Sequence, residues 1–519
     1  MKINLSILIA LAVLFLSSCG NKVSEKDRMA NFIPADAGVV VRIHPDVLME
    51  KADYEALKQM AFFKDGLAEA KKENEVLAAV LDNPANSGVN LEQSSFMAFV
   101  FNAQKNPGVG IYLPLADRAK FEEFIRSASD KFEKSEYQDG VFYGNSDSGF
   151  FIRDNMAVIV FEKNKNFESL IVEKDHSLAG NSNFRKFLKE QGDVSYWLSS
   201  TPIFELLGNS QMVKNLKTFK EEDLKNNFTH AHVSFKNGAV DAQSRLFLSS
   251  GLKSDLSLIF GNGLRHDFSK DFPGDNLQGV YAVNISLKGS YQLTKEYFFS
   301  GMVKNEIEKD LGLSVEEVTD ALTGEMAVAF YTAPEDAIQQ KPEIVVGLDI
   351  GKKKPFNRLI NNLVEKGLLT QEGNIYRTPN SMNFSTGNTL VVQDDVFYVI
   401  LSKNDALIRY LADGQFDHSG EVLKRIKKIS KKHIAAFVLQ PRFLQGMHDR
   451  DLPKLMEQLI AMEGASGLSD GFFKAEFKDK STNSLKMFMT LLNESYLADK
   501  KKQEERKVEQ LEVSEEVEM

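Results

Sequence analysis

Pro34-Ala35-Asp36-Ala37-Gly38-Val39-Val40-Val41-Arg42-Ile43 contains the unit from which the chain is built, a turn that feeds an apolar run. Consecutive β-branched residues fit a pleated, half-buried surface, so 39–43 reads as a strand. The pattern returns as Pro273-Gly274-Asp275, followed by Gly279-Val280-Tyr281-Ala282-Val283. Working outward from the two copies, further residues recur in the same order. Leu113 and Leu115, then Phe121, Phe124 and Ile125, have the spacing of Leu348 and Ile350, then Phe356, Leu359 and Ile360. Asp154, Lys163 and Asn164 return as Asp394, Lys403 and Asn404, Pro202-Ile203-Phe204 as Pro441-Arg442-Phe443, and Phe235-Lys236 as Phe477-Lys478. An offset this constant predicts two homologous tandem domains, 32–253 and 273–494, joined by a linker at 254–272.

Within each half the periodicity alternates between two-residue and helical repeats. Helical patterns cover about 53–81 and stop at Asp82-Asn83-Pro84. Strands are expected at 96–101 and 109–113 around the turn Lys105-Asn106-Pro107-Gly108, and at 156–161 and 194–198. Helices are expected at 166–172 and 184–190, and Thr201-Pro202 opens another. Asn237-Gly238 between 228–235 and 240–248 is a strong hairpin signal. Short hairpins with intervening helices favour an α+β class, each domain mainly antiparallel sheet with helices packed on one face. From 495 to 519 the chain becomes a charged tail, expected to be solvated.

The composition is that of a folded globular protein, with 43% hydrophobic and 26% charged residues. The formal net charge of −10 gives no basic face for nucleic acid, so no nucleic-acid partner is expected. There are 38 Phe against one Trp, Trp197, which points to core filling rather than to platforms for stacking sugars.

The N-terminus carries a different kind of information. Lys2 precedes an apolar run, 5–16, broken only by Ser6 and too short to span a bilayer core, which needs roughly 20 residues. A basic start, a short apolar run and small residues before a cut describe a secretory signal at 1–18. The residues Leu16-Ser17-Ser18-Cys19 resemble the bacterial lipobox. That resemblance implies cleavage before Cys19, a diacylglycerol thioether on its sulfur and acylation of its new amine. Cys19 is the only cysteine, so the mature chain has no internal disulfide and relies on its core. Residues 19–31 read as a flexible tether. Gly20-Asn21 after the cysteine, with no Asp there, resembles the sorting signal for the outer membrane. Lys22, Glu25, Lys26 and Asp27 leave the periplasmic and surface faces both open.

Signatures of catalysis are missing from the sequence. His230 and His232, two apart on a strand, point to one side, opposite Thr229, Ala231, Val233 and Phe235. They read as an exposed polar pair, two ligands where a zinc site wants three or four. No histidine precedes Glu, so His-Glu-x-x-His does not occur. Gly144-Asn145-Ser146-Asp147-Ser148-Gly149 has one residue too many for a nucleophile elbow and reads as a turn. Gly261-Asn262-Gly263 lacks the third glycine of a dinucleotide loop. Catalytic, cofactor-binding and metal residues are therefore expected to be none, and Cys19 is the single assigned site. Asn164 and Asn404 read as helix caps. Lys424-Arg425, Lys427-Lys428 and Lys431-Lys432, alternating with Val422, Leu423, Ile426 and Ile429, form an amphipathic helix whose charged face reads as solvated.

The lipobox, with Phe32-Ile33-Pro34-Ala35-Asp36-Ala37 opening the mature fold, resembles a family of uncharacterised bacterial lipoproteins that carry a large domain of unknown function. The expectation is a lipid-anchored protein of the cell envelope, held by Cys19, with a non-enzymatic binding or assembly role toward an envelope protein or polymer. The alternative is an envelope hydrolase acting on glycan or peptide through acidic residues. A third is a carrier of apolar molecules.

Overall fold

The computed structural model describes residues 23–101, 108–128, 132–137, 139–145, 148–161, 167–207, 219–261, 263–294, 308–309, 311–332, 343–379, 389–401, 404–441 and 454–518. The signal, Cys19, the turn at 105–107, Ser146, Asp147, Lys163, Asn164, Asn262, Lys403, Arg442 and Phe443 lie outside these. By contacts the chain divides into two compact units, one of residues 1–50 and 64–206, the other of 51–63 and 207–519.

The first unit contains β1 (Ala37–Ile43), β2 (Ser95–Val100), β3 (Gly108–Pro114), β4 (Glu133–Tyr137), β5 (Gly140–Gly144), β6 (Ser148–Arg153), β7 (Met156–Phe161) and β8 (Val194–Ser199). They pair antiparallel in the order β4-β5-β6-β7-β3-β2-β1-β8. The predicted strand at 39–43 is β1, between β2 and β8, with a bulge between Ala37 and Val39. Helix Ser182–Lys189 buries Phe184, Phe187 and Leu188. Phe184 meets buried Trp197 of β8 edge-on at 5.2 Å, so the lone tryptophan is core. Under helix Arg118–Ala128, Phe121 and Ile125 pack with Leu115, Tyr143, Ile152 and Ala157.

In the second unit β9 (Phe228–Lys236) and β10 (Ala239–Phe247) form the expected hairpin, with Gly238 at φ +65 in its turn. There follow β11 (Leu277–Asn284), β12 (Leu322–Tyr331), β13 (Glu343–Ile350), β14 (Thr370–Glu372), β15 (Ile375–Arg377), β16 (Thr389–Gln393), β17 (Val396–Ile400), β18 (Ala435–Leu439), β19 (Leu459–Ser466) and β20 (Asp470–Phe477). Their order is β14-β15-β16-β17-β13-β12-β11-β18-β19-β20-β10-β9, again antiparallel. Helices Asp405–Asp413 and Glu421–Ser430 bury Ile408, Leu411, Val422, Leu423, Ile426 and Ile429 in one core with Val280, Ala282, Ala327 and Val438 of the sheet. The protein is α+β, with mixed helices and extensive antiparallel sheet.

Two stretches differ in role from their sequence reading. Residues 25–31, read as part of a tether, fall in a 3₁₀ helix (Glu25–Phe32) with Asp27, Met29 and Ala30 buried. The stretch 254–272, read as a linker, is occupied by helix Ser250–Phe260 and by a packed segment whose Leu264, Phe268 and Phe272 enter the core of the second unit. Residues 484–518 form one helix, Ser484–Glu518, that includes most of the charged tail.

Candidate functional site

Charged groups drawn partly or wholly out of water gather at two places, one beside the segment that runs into β1 and the other beside the segment that runs into β11. In the first unit Arg42 alternates inward on β1 and is 2% exposed. Its guanidinium donates to the carbonyls of Leu188 (2.8 Å) and Glu190 (2.6 Å) and to Ser195 Oγ (3.2 Å). It lies 3.7 Å from Asp27 Oδ1 and stacks over Phe187 at 5.2 Å. Burial pulls its pKa below the ordinary arginine value, while Asp27 and Glu190 oppose that. Asp27 accepts from Ser24 Oγ (2.8 Å) and Ser94 Oγ (2.7 Å). The Ser94 oxygen is 3.1 Å from His44 Nδ1. A hydroxyl that spends its proton on Asp27 can only accept there, which places the His44 proton on Nδ1. Burial first, then the charges of Arg42 and Lys26, push His44 down to about 4.

Asp27, Ser94 and His44 contain the residue types of a hydrolase triad, but in the wrong order. The serine bridges acid and base, and it is fully buried, so no substrate carbonyl can approach its oxygen. The cluster is a clamp for residues 25–32. Arg28 donates to the Asn155 carbonyl (2.6 Å), and Phe32 lies under Arg153, which pairs with Asp139 (3.0 Å) and Glu173 (2.7 Å).

In the second unit His266 stands between two carboxylates. Nε2 is 2.6 Å from Asp271 Oδ2, and Nδ1 is 3.1 Å from Asp349 Oδ1. Burial alone would lower its pKa, but hydrogen bonds to Asp271 and Asp349 outweigh this and raise it to about 10. Both ring nitrogens donate, so the ring is an imidazolium at neutral pH. Buried Glu325 accepts the backbone N–H groups of Arg265 (2.9 Å) and His266 (2.8 Å), fixing the same segment.

His230 and His232 are buried, not the exposed pair the alternation predicts, and His230 packs on Phe247 at 4.6 Å. Imidazole is amphipathic and tolerates an interior face when an aromatic ring covers it, which alternation cannot reveal. Among the described residues no group of three or more His, Cys, Asp or Glu is placed to hold a metal ion. Asn404 caps helix Asp405–Asp413 through the N–H groups of Ala406 (3.1 Å) and Leu407 (3.2 Å), as its position after a strand predicts. A shallow hollow of about 280 Å³ in the first unit is lined by Val76, Ala79 and Val80 with Glu75, Lys120 and Glu123. Both glutamates are exposed to water, so they form no desolvated acid–base pair. No helix among the described residues is long and apolar enough to cross a membrane.

Sequence reasoning missed both clamps, although signals for them existed. Met29 is apolar within the supposed tether and Phe32 and Ile33 follow it at once, and Leu264, Phe268 and Phe272 recur every four residues in the supposed linker.

A family model described as Domain of unknown function (DUF4836) matches residues 29–377, and the chain belongs to that family. The match begins inside the first clamp and runs through β15. No curated protein matches the chain. Crystal forms I and IV of TP0453 are similar over 46% and 44% of this chain and 87% and 84% of theirs. Identity is 12% in each case, with TM-scores of 0.25 and 0.24, too low to define a shared fold.

Proposed function

We propose that this protein is a lipid-anchored component of the bacterial cell envelope, most plainly of the outer membrane, with a binding or assembly role. The observation that carries this reading is the N-terminal sequence, a short apolar signal closed by Leu16-Ser17-Ser18-Cys19. Packing from Glu25 onward adds to it. Five residue steps separate Cys19 from Ser24, a reach of at most about 18 Å, so a lipid on Cys19 ties the first unit to the bilayer on a short leash. Acyl chains bury about 0.8 kcal/mol per methylene, and two or more hold a large body stably.

The same reading takes the two halves as homologous tandem repeats. Its support is the order β4-β5-β6-β7-β3-β2-β1-β8, matched element by element by β14-β15-β16-β17-β13-β12-β11-β18. The bulge at Ala37/Val39 has its counterpart at Leu277/Gly279, and Asp154 and Asp394 both take positive φ in the hairpin turns. Phe121 and Ile125 fill the place in one half that Phe356 and Ile360 fill in the other. On this view the hairpin β9–β10 closes the first repeat in sequence while pairing with β20 of the second unit.

Mass spectrometry of the protein isolated from membranes tests the anchor. The expected N-terminal peptide starts at Cys19 and carries diacylglycerol and acyl mass, and Cys19→Ala leaves an uncleaved precursor. A bare Cys19 on a mature chain that fractionates as free protein overturns the reading.

A further inference from the structure

In a chain of net charge −10, helix Glu421–Ser430 and the two residues after it carry six cations and one acid. Its apolar side, Val422, Leu423, Ile426 and Ile429, is locked into the core, so the helix cannot roll over to insert into a membrane. Arg425, at the edge, is consumed internally by Glu421 (2.9 Å), Glu463 (3.2 Å) and Glu476 (3.0 Å). Lys424, Lys427 and Lys428 stand at i, i+3 and i+4 on the helix, and Lys431 and Lys432 follow just past its end, all five exposed. None of the five takes part in the ion pairs found among the described residues. This is the spacing at which like charges oppose helix formation. The helix dipole compensates only within the last turn.

The chemistry of the row narrows what it fits. Ammonium groups are point charges without the planar fork that grips one phosphate bidentately. No aromatic ring interrupts the row to stack a base or a sugar. Three mobile cations about 5–6 Å apart on a convex helix, with two more just past its end, suit a surface whose anions can move to meet them. We infer that the exposed lysine row of helix Glu421–Ser430 is a docking surface for the anionic head groups of a lipid bilayer. It would give the protein a second, electrostatic membrane contact besides the lipid. The inference rests on the envelope reading above. Each lysine at an anionic leaflet is worth roughly fivefold in partitioning, so four give on the order of a hundredfold after screening by salt.

The test uses the full chain with Cys19→Ala, so that no lipid contributes. Vesicles are of phosphatidylcholine, with or without one-third phosphatidylglycerol; the retained N-terminus with Lys2 is common to every variant, so each is read against the Cys19→Ala parent. A strong preference for the anionic vesicles at low salt, lost at high salt, is expected. The set Lys424→Gln, Lys427→Gln, Lys428→Gln and Lys431→Gln abolishes it. Arginine at the same four positions retains it, and Gln at Lys500, Lys501, Lys502 and Lys507, an equal change of charge, leaves it intact. Equal binding to both vesicles, or a preference that survives the first Gln set or fails in the tail set, overturns the inference. So does capture by soluble polyphosphate without any vesicle preference. Because the lipid is absent throughout, failure here leaves the anchor standing, and a bare Cys19 leaves the lysine row standing.

Discussion

His44 follows β1 in the first unit, His266 precedes β11 in the second, and the two are driven to opposite charge. In the first unit the acid, Asp27, sits on the leading segment and the cation, Arg42, on the strand. His44, beside them, is kept neutral and pushed down to about 4 by burial and by Arg42 and Lys26. In the second unit the cation, His266, sits on the leading segment, and an acid, Asp349, sits on β13. The difference teaches that similar architecture does not require similar chemistry at a buried joint. What must be preserved is charge balance in a low dielectric, and either polarity satisfies it. The second clamp depends on a proton; the first does not.

The most disruptive way to break this comparison is Arg42→Ala. It leaves Asp27 buried without its cation and frees the carbonyls of Leu188 and Glu190, so a loss of about 3–5 kcal/mol in urea unfolding is expected. A loss below about 1 kcal/mol would mean that water reaches Asp27.

A smaller effect separates the units by alkali. His266 has its folded pKa raised from 6.5 to about 10, so its contribution is fully present below about 6.5 and fades as pH rises through about 10. Asp349→Asn is expected to lose about 1–3 kcal/mol at neutral pH and, with Asp271 still on the ring, to lose less on alkalinisation than the parent does over that window. Proton NMR of the His266 ring checks this directly; titration near 6.5 in the parent would show that the clamp is not ionic.

His44 gives the mirror image and the smallest change. Between about 6.5 and about 4 the unfolded chain binds a proton there that the folded chain refuses, so stability falls as pH falls through that window and levels below it. His44→Gln is expected to remove about 1–2 kcal/mol of that acid slope in melts at stepped pH, leaving the alkaline behaviour of the second unit unchanged. An unchanged acid slope would assign it to other groups.

Helix Glu421–Ser430 was legible in full, because its stripe of Val422, Leu423, Ile426 and Ile429 is a local, periodic signal and those four side chains are the buried ones. The hairpin at Asn237-Gly238 was legible for the same reason. The clamps were not. Asp27 and Arg42 look like solvated charges in sequence, and Ser94, which completes their network, is 67 residues from Asp27. Asp349 is more remote still from His266. The burial of His230 depends on Phe247 across the hairpin, which alternation on one strand cannot report.

By itself the sequence determined the alternation of strands and helices and the turns between them, and it carries the recurring residues and the Cys19 motif on which the proposed repeat and address rest. These depend on propensities and spacings that act over a few residues, or on residues read in order. Only the tertiary structure decided which charges leave water, that residues 25–32 pack, and that Leu264, Phe268 and Phe272 belong to a core. Such outcomes depend on which distant groups come within hydrogen-bond reach. A carboxylate is solvated or clamped according to partners that chain closure alone brings to it.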